Sequence, residues 1–503
     1  MSSKPKNVVL WNTSPMSAGL KAIAQINIFR TLGAYKIAHA LRSADYQVQV
    51  IDFVTWFTED QLFEATAKFI DHNTSCIAIS TTFMLDTINN TTLSPTLIAV
   101  LNRLTDEFPN LKLVFGGYGI GVLKRQLSGL NKKKVAFISQ YGEDIMVDLV
   151  NYYHKRSKSP AFQLDQVGDT SVYTYSMPLE ERYNIQTDNF KFHDDDGIQP
   201  NETLPIEISR GCIFKCKFCN HLLLGRGKLD YLRDFEIVKE ELIHNYTKWG
   251  ITNYYVICDT FNDTEYKMQE WHRMVTSLPF KIKYTVYLRA DLLDRFPDVP
   301  YMLEETGLLS CFHGIETLGV NGSSVIGKGW SGKSAREYIP KLYHDIWGKR
   351  VHQTISLIAG LPGDTREILT DTAQWFVDND LYNVNWHTLG ISPDASAKNA
   401  SEFERNSEKY GYVFNTDKSK PYKWKTDYWT DQEAGIFVKD VLTPMTAPSN
   451  AMYGSWPILQ MMQYGVDEKW FSKSKSKSLA VFYNLETIAR NWIVRYRNTI
   501  MEM

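Results

Sequence analysis

Short apolar runs alternate with segments of helical periodicity along most of this chain, and that alternation constrains the fold more than any other feature. A first series predicts strands at Val8 to Leu10, Val48 to Phe53, Cys76 to Ser80, Leu111 to Phe115 and Val135 to Ile138. Helical patterns lie between them, one from Leu32 to Leu41 and another opening near Pro95. Short strands separated by helices predict a doubly wound parallel sheet. Ligands on such sheets sit at the carboxyl ends of the strands. Those ends carry Asn12 to Pro15, Ser80 to Thr82, Gly116-Gly117 and Gly142-Glu143.

Between residues 156 and 204 the periodicity fades into polar residues, from Arg156-Ser157-Lys158-Ser159-Pro160 to Asp194-Asp195-Asp196-Gly197, and the stretch reads as a linker. A second alternation then predicts strands at Ile206 to Ser209, Tyr254 to Cys258, Lys281 to Tyr287, Cys311 to Gly314, Thr354 to Ala359 and Val384 to Leu389. Asp234 is placed as N-cap of a helix with Phe235, Val238 and Leu242 on one face. This series predicts an open, partial barrel, whose chemistry collects at the C-terminal ends of its strands. Further on, Thr430 and Glu433 have capping-box spacing. Leu479 to Tyr496 reads as an aromatic-rich helix, and Lys473, Lys475 and Lys477, with serines between, as a solvated loop. The expected fold is α/β: a doubly wound sheet in residues 1–155, a linker in 156–204, a partial (β/α)6 barrel in 205–415 and a small, mainly helical region in 416–503.

Length and charge agree with several domains and no nucleic-acid surface. The 503 residues exceed one ordinary domain. Lys plus Arg number 55 against 57 Asp plus Glu, a net charge of −2 that offers no field to nucleic acid or anionic membrane. Met1 to Asn7 is polar, and no apolar run approaches the ~20 residues that span a bilayer. The expectation is a soluble, cytoplasmic protein, so its six cysteines do not read as a disulfide framework.

Three of those cysteines crowd into Ser209-Arg210-Gly211-Cys212-Ile213-Phe214-Lys215-Cys216-Lys217-Phe218-Cys219, just after the first strand of the second series. Thiolates at this C-x3-C-x2-C spacing can hold three irons of a [4Fe–4S] cluster. The fourth iron then stays open to an exogenous ligand, as a catalytic metal keeps a vacant position. The same loop completed by His221 would instead suit a zinc ion. Cys76, Cys258 and Cys311 fall within predicted strands and read as core.

The cysteine motif after a strand that opens a (β/α)6 series resembles the radical S-adenosylmethionine superfamily. With the preceding sheet, the chain resembles its subgroup with an N-terminal cobalamin-binding-like domain. Asp259-Thr260-Phe261, Arg289-Ala290-Asp291, Gly314-Ile315-Glu316-Thr317 and Gly360-Leu361-Pro362-Gly363-Asp364-Thr365 follow in the order that resemblance requires, over roughly residues 7 to 395. It implies an enzyme in which Cys212, Cys216 and Cys219 hold the cluster and the open iron takes the methionyl amine and carboxylate of S-adenosylmethionine. By the same resemblance Phe218 lies by the adenine, Asp259 meets the amine, Arg289 the carboxylate and Glu316 the ribose hydroxyls. An electron from a donor such as flavodoxin or ferredoxin would then split a sulfonium C–S bond into methionine and a 5′-deoxyadenosyl radical. Gly360 to Thr365 also reads as a strand-to-helix turn in which Asp364 or Thr365 caps the next helix.

For the first domain the resemblance implies cobalamin at the sheet edge, with Ser80 and Thr82 in a serine-centred loop and Gly116 and Gly117 as the paired glycines; Gly33 and Asp52 also fit. The chain departs from the subgroup pattern in lacking an Asp-x-His-x-x-Gly motif, the source of a histidine ligand to cobalt. With cobalamin the implied reaction is methyl transfer to an unactivated carbon or to phosphinate phosphorus. Without it, cyclisation, rearrangement or oxidation by hydrogen abstraction follows, and a non-catalytic sensory protein is a third reading. The substrate is a small molecule, a nucleotide derivative or a peptide. Tyr287, His313, His352, Trp386 and His387 on the barrel, and Tyr422, Trp424, Tyr428 and Trp429 beyond it, are candidates for its walls.

Overall fold

The structure, a computed structural model, describes residues 6–13, 28–82, 94–117, 123, 127–139, 141–176, 184–220, 229–319, 322–381, 383–392, 400–417, 419–446, 462–463 and 475–503. Ser14, Pro15, His221 and Lys473 lie outside the described residues. The first sheet is built from β1 (Val8–Trp11), β2 (Val48–Ile51), β3 (Cys76–Ser80), β4 (Lys112–Gly116) and β5 (Lys134–Ser139), parallel and ordered β2-β1-β3-β4-β5. Val8 pairs with Val48 on one side and with Cys76 on the other. Every residue of β1 and β2 is buried, as strands covered on both faces by helices must be. The order reverses between β1 and β3, which opens a crevice at the carboxyl edge there.

The stretch read as a linker carries structure. β6 (Phe162–Val167) and β7 (Thr170–Ser176) form an antiparallel hairpin around Gly168-Asp169, and β7 extends the sheet parallel to β5. Phe190, Phe192 and Ile198 are buried, with Phe192 edge-on to Tyr35 at 5.0 Å. Their apolar side chains sit singly among charged neighbours, so no periodicity announces them.

The second sheet runs β8 (Thr203–Glu207), β9 (Asn253–Ile257), β10 (Lys283–Leu288), β11 (Leu308–Glu316), β12 (His352–Ala359) and β13 (Val384–Thr388), all parallel and in sequential order. With β8 and β13 left as edges, these six strands make a partial (β/α)6 barrel and not a closed ring. Asp234 caps the helix Phe235–Trp249, accepting from Glu236 N–H at 2.8 Å. Thr365 caps Arg366–Asp378 in the same way, and Asp364 Oδ2 accepts from the Gly360 and Leu361 N–H groups.

Residues expected as one helical C-terminal region go to two places. The helix Asp431–Phe437, opened by the Thr430–Glu433 capping box, joins the barrel core with Trp424 and Trp429. The helix Lys475–Glu502 packs on the first sheet through Trp492, Ile493, Tyr496 and Ile500. It begins at Lys475, so Lys475 and Lys477 are helical, where a loop was expected. Tyr496 accepts a hydrogen bond from Asp52 N–H at 2.7 Å, and the Arg30 guanidinium lies 5.0 Å from its ring centroid. Arg30 is fully buried and donates to both oxygens of Glu202, to the Asp196 and Gly197 carbonyls and to Tyr35. Asp52 faces this node, not the crevice; burial pushes its carboxyl up to about 6 against the pull of Arg30. No described helix is long and apolar enough to cross a membrane.

Candidate active site

The loop that follows β8 turns at Gly211, whose φ of +111° few other residues adopt, and so brings Cys212 over the barrel mouth. Asp259, just past β9, accepts from Gly211 N–H at 2.8 Å and holds that turn. Further along, Lys217 N–H donates to the Ile326 carbonyl at 2.9 Å, and Phe403 N–H to the Lys217 carbonyl at 3.0 Å. The cysteine loop is therefore pinned at its base and on both flanks. Behind it, the buried Lys267 donates to Ser209 Oγ and to the Thr260 carbonyl, each at 3.0 Å.

Cys212, Cys216 and Cys219 line one cavity of about 230 Å³, together with Phe218, Asp259, Arg289 and Glu316. All seven residues singled out for the cluster and S-adenosylmethionine thus meet at the C-terminal ends of β8 to β11. None of the six cysteines forms a disulfide, and Cys76, Cys258 and Cys311 are buried. Cys212 Sγ accepts from Phe214 N–H at 3.4 Å and lies 3.4 Å from Thr260 Oγ1; burial pushes its thiol above the ordinary value. Arg289 places Nη1 3.5 Å from Cys216 Sγ. The Cys212 and Cys216 sulfurs each face an N–H donor, which suits thiolates bound to iron. Among the described residues no three His, Cys, Asp or Glu side chains form a group able to hold a single ion.

Glu316 ends β11 at φ +70°, in the left-handed region, beside a register shift between Gly314 and Glu316. Such backbone costs on the order of 1–3 kcal/mol and persists only where its surroundings impose it. Here Lys328 imposes it, donating to the Gly314 carbonyl and, at 2.9 Å, to Glu316 Oε1. Lys328 lines the cavity and escaped the sequence reading because no motif surrounds it. Tyr287 and Phe312 complete the wall, their rings edge to face at 5.2 Å.

Other aromatic and histidine candidates are placed elsewhere. His313 is buried against Gln353 and Cys311, with burial pulling its imidazole down to about 4. Trp386 donates to Thr446, Trp424 to the Leu389 carbonyl and Trp429 to the Asp364 carbonyl, so these three indoles close the barrel core. His352, His387, Tyr422 and Tyr428 are not among the residues lining the cavity.

A second cavity, of about 240 Å³, opens at the carboxyl edge of the first sheet. Ser80, Thr82, Gly116 and Gly117 all line it, with Gly33 from the helix Leu32–Ser43. Gly117 has φ +108°, and a Cβ there would meet Thr82 Oγ1 at 2.6 Å. Thr81 Oγ1 is buried beside it without a hydrogen-bond partner among the described residues. Gly33, Gly116 and Gly117 line this cavity without side chains, and Ser80 and Thr82 bring hydroxyl-bearing residues to it, which fits a bound group with polar atoms. Arg210 lines this cavity too, only two residues before Cys212, and its guanidinium lies 5.1 Å from the Tyr141 ring centroid.

Solved structures share this overall fold. One is a radical S-adenosylmethionine methyltransferase, TsrM, from Kitasatospora setae, with cobalamin and a [4Fe–4S] cluster bound; it is 13% identical over 98% of this chain and 100% of that one, with a TM-score of 0.61. Another is OxsB, a cobalamin-dependent S-adenosylmethionine radical enzyme with aqua-cobalamin and S-adenosylmethionine bound, 15% identical over 96% of this chain and 71% of that one, with a TM-score of 0.60. The chain shares the fold of these two enzymes. At these identities the likeness is one of architecture. No family model matches the sequence, and no curated protein matches it. In this chain the two cavities lie one at the edge of the first sheet and one at the barrel mouth.

Proposed function

We propose that this chain is a radical S-adenosylmethionine enzyme that binds cobalamin and transfers a methyl group to an unactivated centre of a small-molecule, nucleotide-derived or peptide substrate. The observation that carries the reading is the meeting of three cysteine sulfurs with Asp259, Arg289 and Glu316 on one cavity at the ends of successive strands. Cys212, Cys216 and Cys219 would hold the [4Fe–4S] cluster, which supplies one electron, received from a flavodoxin- or ferredoxin-like donor, to cleave S-adenosylmethionine into methionine and a 5′-deoxyadenosyl radical.

The protein's own part is binding and orientation. Asp259 offers its carboxylate to the methionyl amine while holding the Gly211 turn. Arg289 is fixed on Asp291 through Nε and Nη2 and turns its Nη1 end towards the cysteines, where a methionyl carboxylate would lie. Burial works against that cation, but Asp291 outweighs it and keeps the guanidinium above its ordinary pKa. Glu316, steadied by Lys328, is placed for the ribose hydroxyls, and Phe218 for the adenine. Ser80, Thr82, Gly116 and Gly117 would receive cobalamin at the sheet edge.

The test is anaerobic reconstitution with iron, sulfide and reductant, followed by S-adenosylmethionine. Wild type should release 5′-deoxyadenosine, and Cys216→Ala should not. A fully loaded cluster that leaves S-adenosylmethionine intact would remove the enzyme reading. Purification with hydroxocobalamin should add corrin bands to the visible spectrum; their absence would remove methyl transfer.

A further inference from the structure

We propose that Arg289 raises the reduction potential of the cluster by hydrogen bonding to the Cys216 sulfur, and that the Asp291 carboxylate limits how far it does so. The inference rests on the reading of the cysteine loop as a [4Fe–4S] site.

The guanidinium is immobilised on every side but one. Asp291 takes its side fork, Oδ1 accepting from Nε at 3.0 Å and Oδ2 from Nη2 at 2.7 Å. The Phe214 ring covers one face, its centroid 3.9 Å from Cζ, a cation–π contact. Asn262, itself buried, clamps the Arg289 main chain from both ends, donating to its carbonyl and accepting from its N–H at 2.9 Å each. What remains is Nη1, 3.5 Å from Cys216 Sγ. Side-chain exposure is 8% for Arg289 and 14% for Asp291, so water screens neither charge well.

Cluster potentials respond to hydrogen bonds on the ligating sulfurs and to nearby charge. When one electron enters from an external low-potential donor, the cluster passes from its 2+ to its 1+ level and gains one negative charge, with no proton transferred. A donor and a cation at Cys216 favour the reduced level, and the carboxylate behind them opposes it. Arg289 is therefore a positioning and tuning residue for the cluster, in addition to any contact with the methionyl carboxylate. Its effect on the potential exists before S-adenosylmethionine binds.

The experiment is a redox titration of the reconstituted full-length protein, followed by electron paramagnetic resonance without S-adenosylmethionine. Arg289→Met should lower the midpoint by about 59 mV, a tenfold loss in the reduced-to-oxidised ratio for one electron. Asp291→Asn, which keeps an oxygen to accept from Nε, should raise it. Opposite signs from two adjacent partners are what general loosening of the loop cannot produce. Midpoints that do not move, or that move the same way in both variants, overturn the proposal. If Arg289→Met fails to assemble a cluster, Asp291→Asn decides alone, and a midpoint at or below that of wild type overturns it. Wild type without a [4Fe–4S] signal would overturn the function reading as well, which separates the two failures.

Discussion

Arg210 donates from Nη1 to Glu143 Oε1 at 3.0 Å and, through Nε and Nη2, to both oxygens of Glu207. One guanidinium thus joins the carboxyl edge of the first sheet to the loop that carries Cys212. Burial alone would raise the Glu207 carboxyl, yet Arg210 and Lys36 overcome it and hold the group down at about 2. The folded state therefore gains stability from Glu207 above the ordinary glutamate range, and loses it as pH falls from about 4.5 towards 2. Arg210→Met should cost about 3 kcal/mol at neutral pH, because two carboxylates lose a buried partner. It should also shift the acid-side loss to higher pH. Urea denaturation across pH 3 to 7 checks both.

Gly117→Ala should weaken cobalamin binding at the sheet-edge cavity without touching the cysteine loop. The φ of +108° and the approach of Thr82 leave a Cβ no room. Titration with hydroxocobalamin, followed in the visible, should show at least a tenfold weaker complex, about 1.4 kcal/mol. Iron content after reconstitution should match wild type. Unchanged cobalamin affinity would place that cofactor elsewhere.

Lys328→Met should weaken S-adenosylmethionine binding by roughly tenfold, about 1.4 kcal/mol, since the strained Glu316 backbone and its carboxylate lose their common anchor. Calorimetry on the reconstituted protein measures this directly. The cluster spectrum recorded without S-adenosylmethionine should stay the same.

Asp364→Asn should flatten the pH dependence of stability between about 4 and 7. Burial raises this carboxyl to about 7 against the Leu361 and Gly360 N–H groups. The folded state keeps a proton that the unfolded chain releases, so stability falls as pH rises from the ordinary 3.8 to that value, by at most ~1.4 kcal/mol per pH unit. Asparagine retains an acceptor oxygen and has no charge to desolvate. Urea midpoints at pH 5 and pH 7.5 should differ less in the variant than in wild type.

Both parallel sheets were legible in the sequence because short, mostly apolar strands alternate with helical periodicity, and Cys76 to Ser80 matches β3 end to end. The hairpin β6–β7 was not, since Phe162 and Leu164 are 46% and 57% exposed and interleave with polar residues. Its two-residue Gly168-Asp169 turn was the available signal. Within the barrel-mouth cavity, the cysteine spacing announces itself. Lys328 reaches Glu316 from a loop twelve residues away, and Arg210 meets Glu143 across 67 residues, so neither pairing leaves a local pattern.

The helix Lys475–Glu502 completes the hydrophobic interior of a sheet whose strands begin at Val8. Asp52 and Tyr496, which bond to one another, are 444 positions apart. During translation, at roughly 5–20 residues per second, the early strands must wait on the order of a minute for that helix to leave the ribosome. Until then Phe53 lacks the Trp492 and Tyr496 rings that meet it edge-on. The interior of the first domain is thus closed by a segment synthesised after the barrel that follows it.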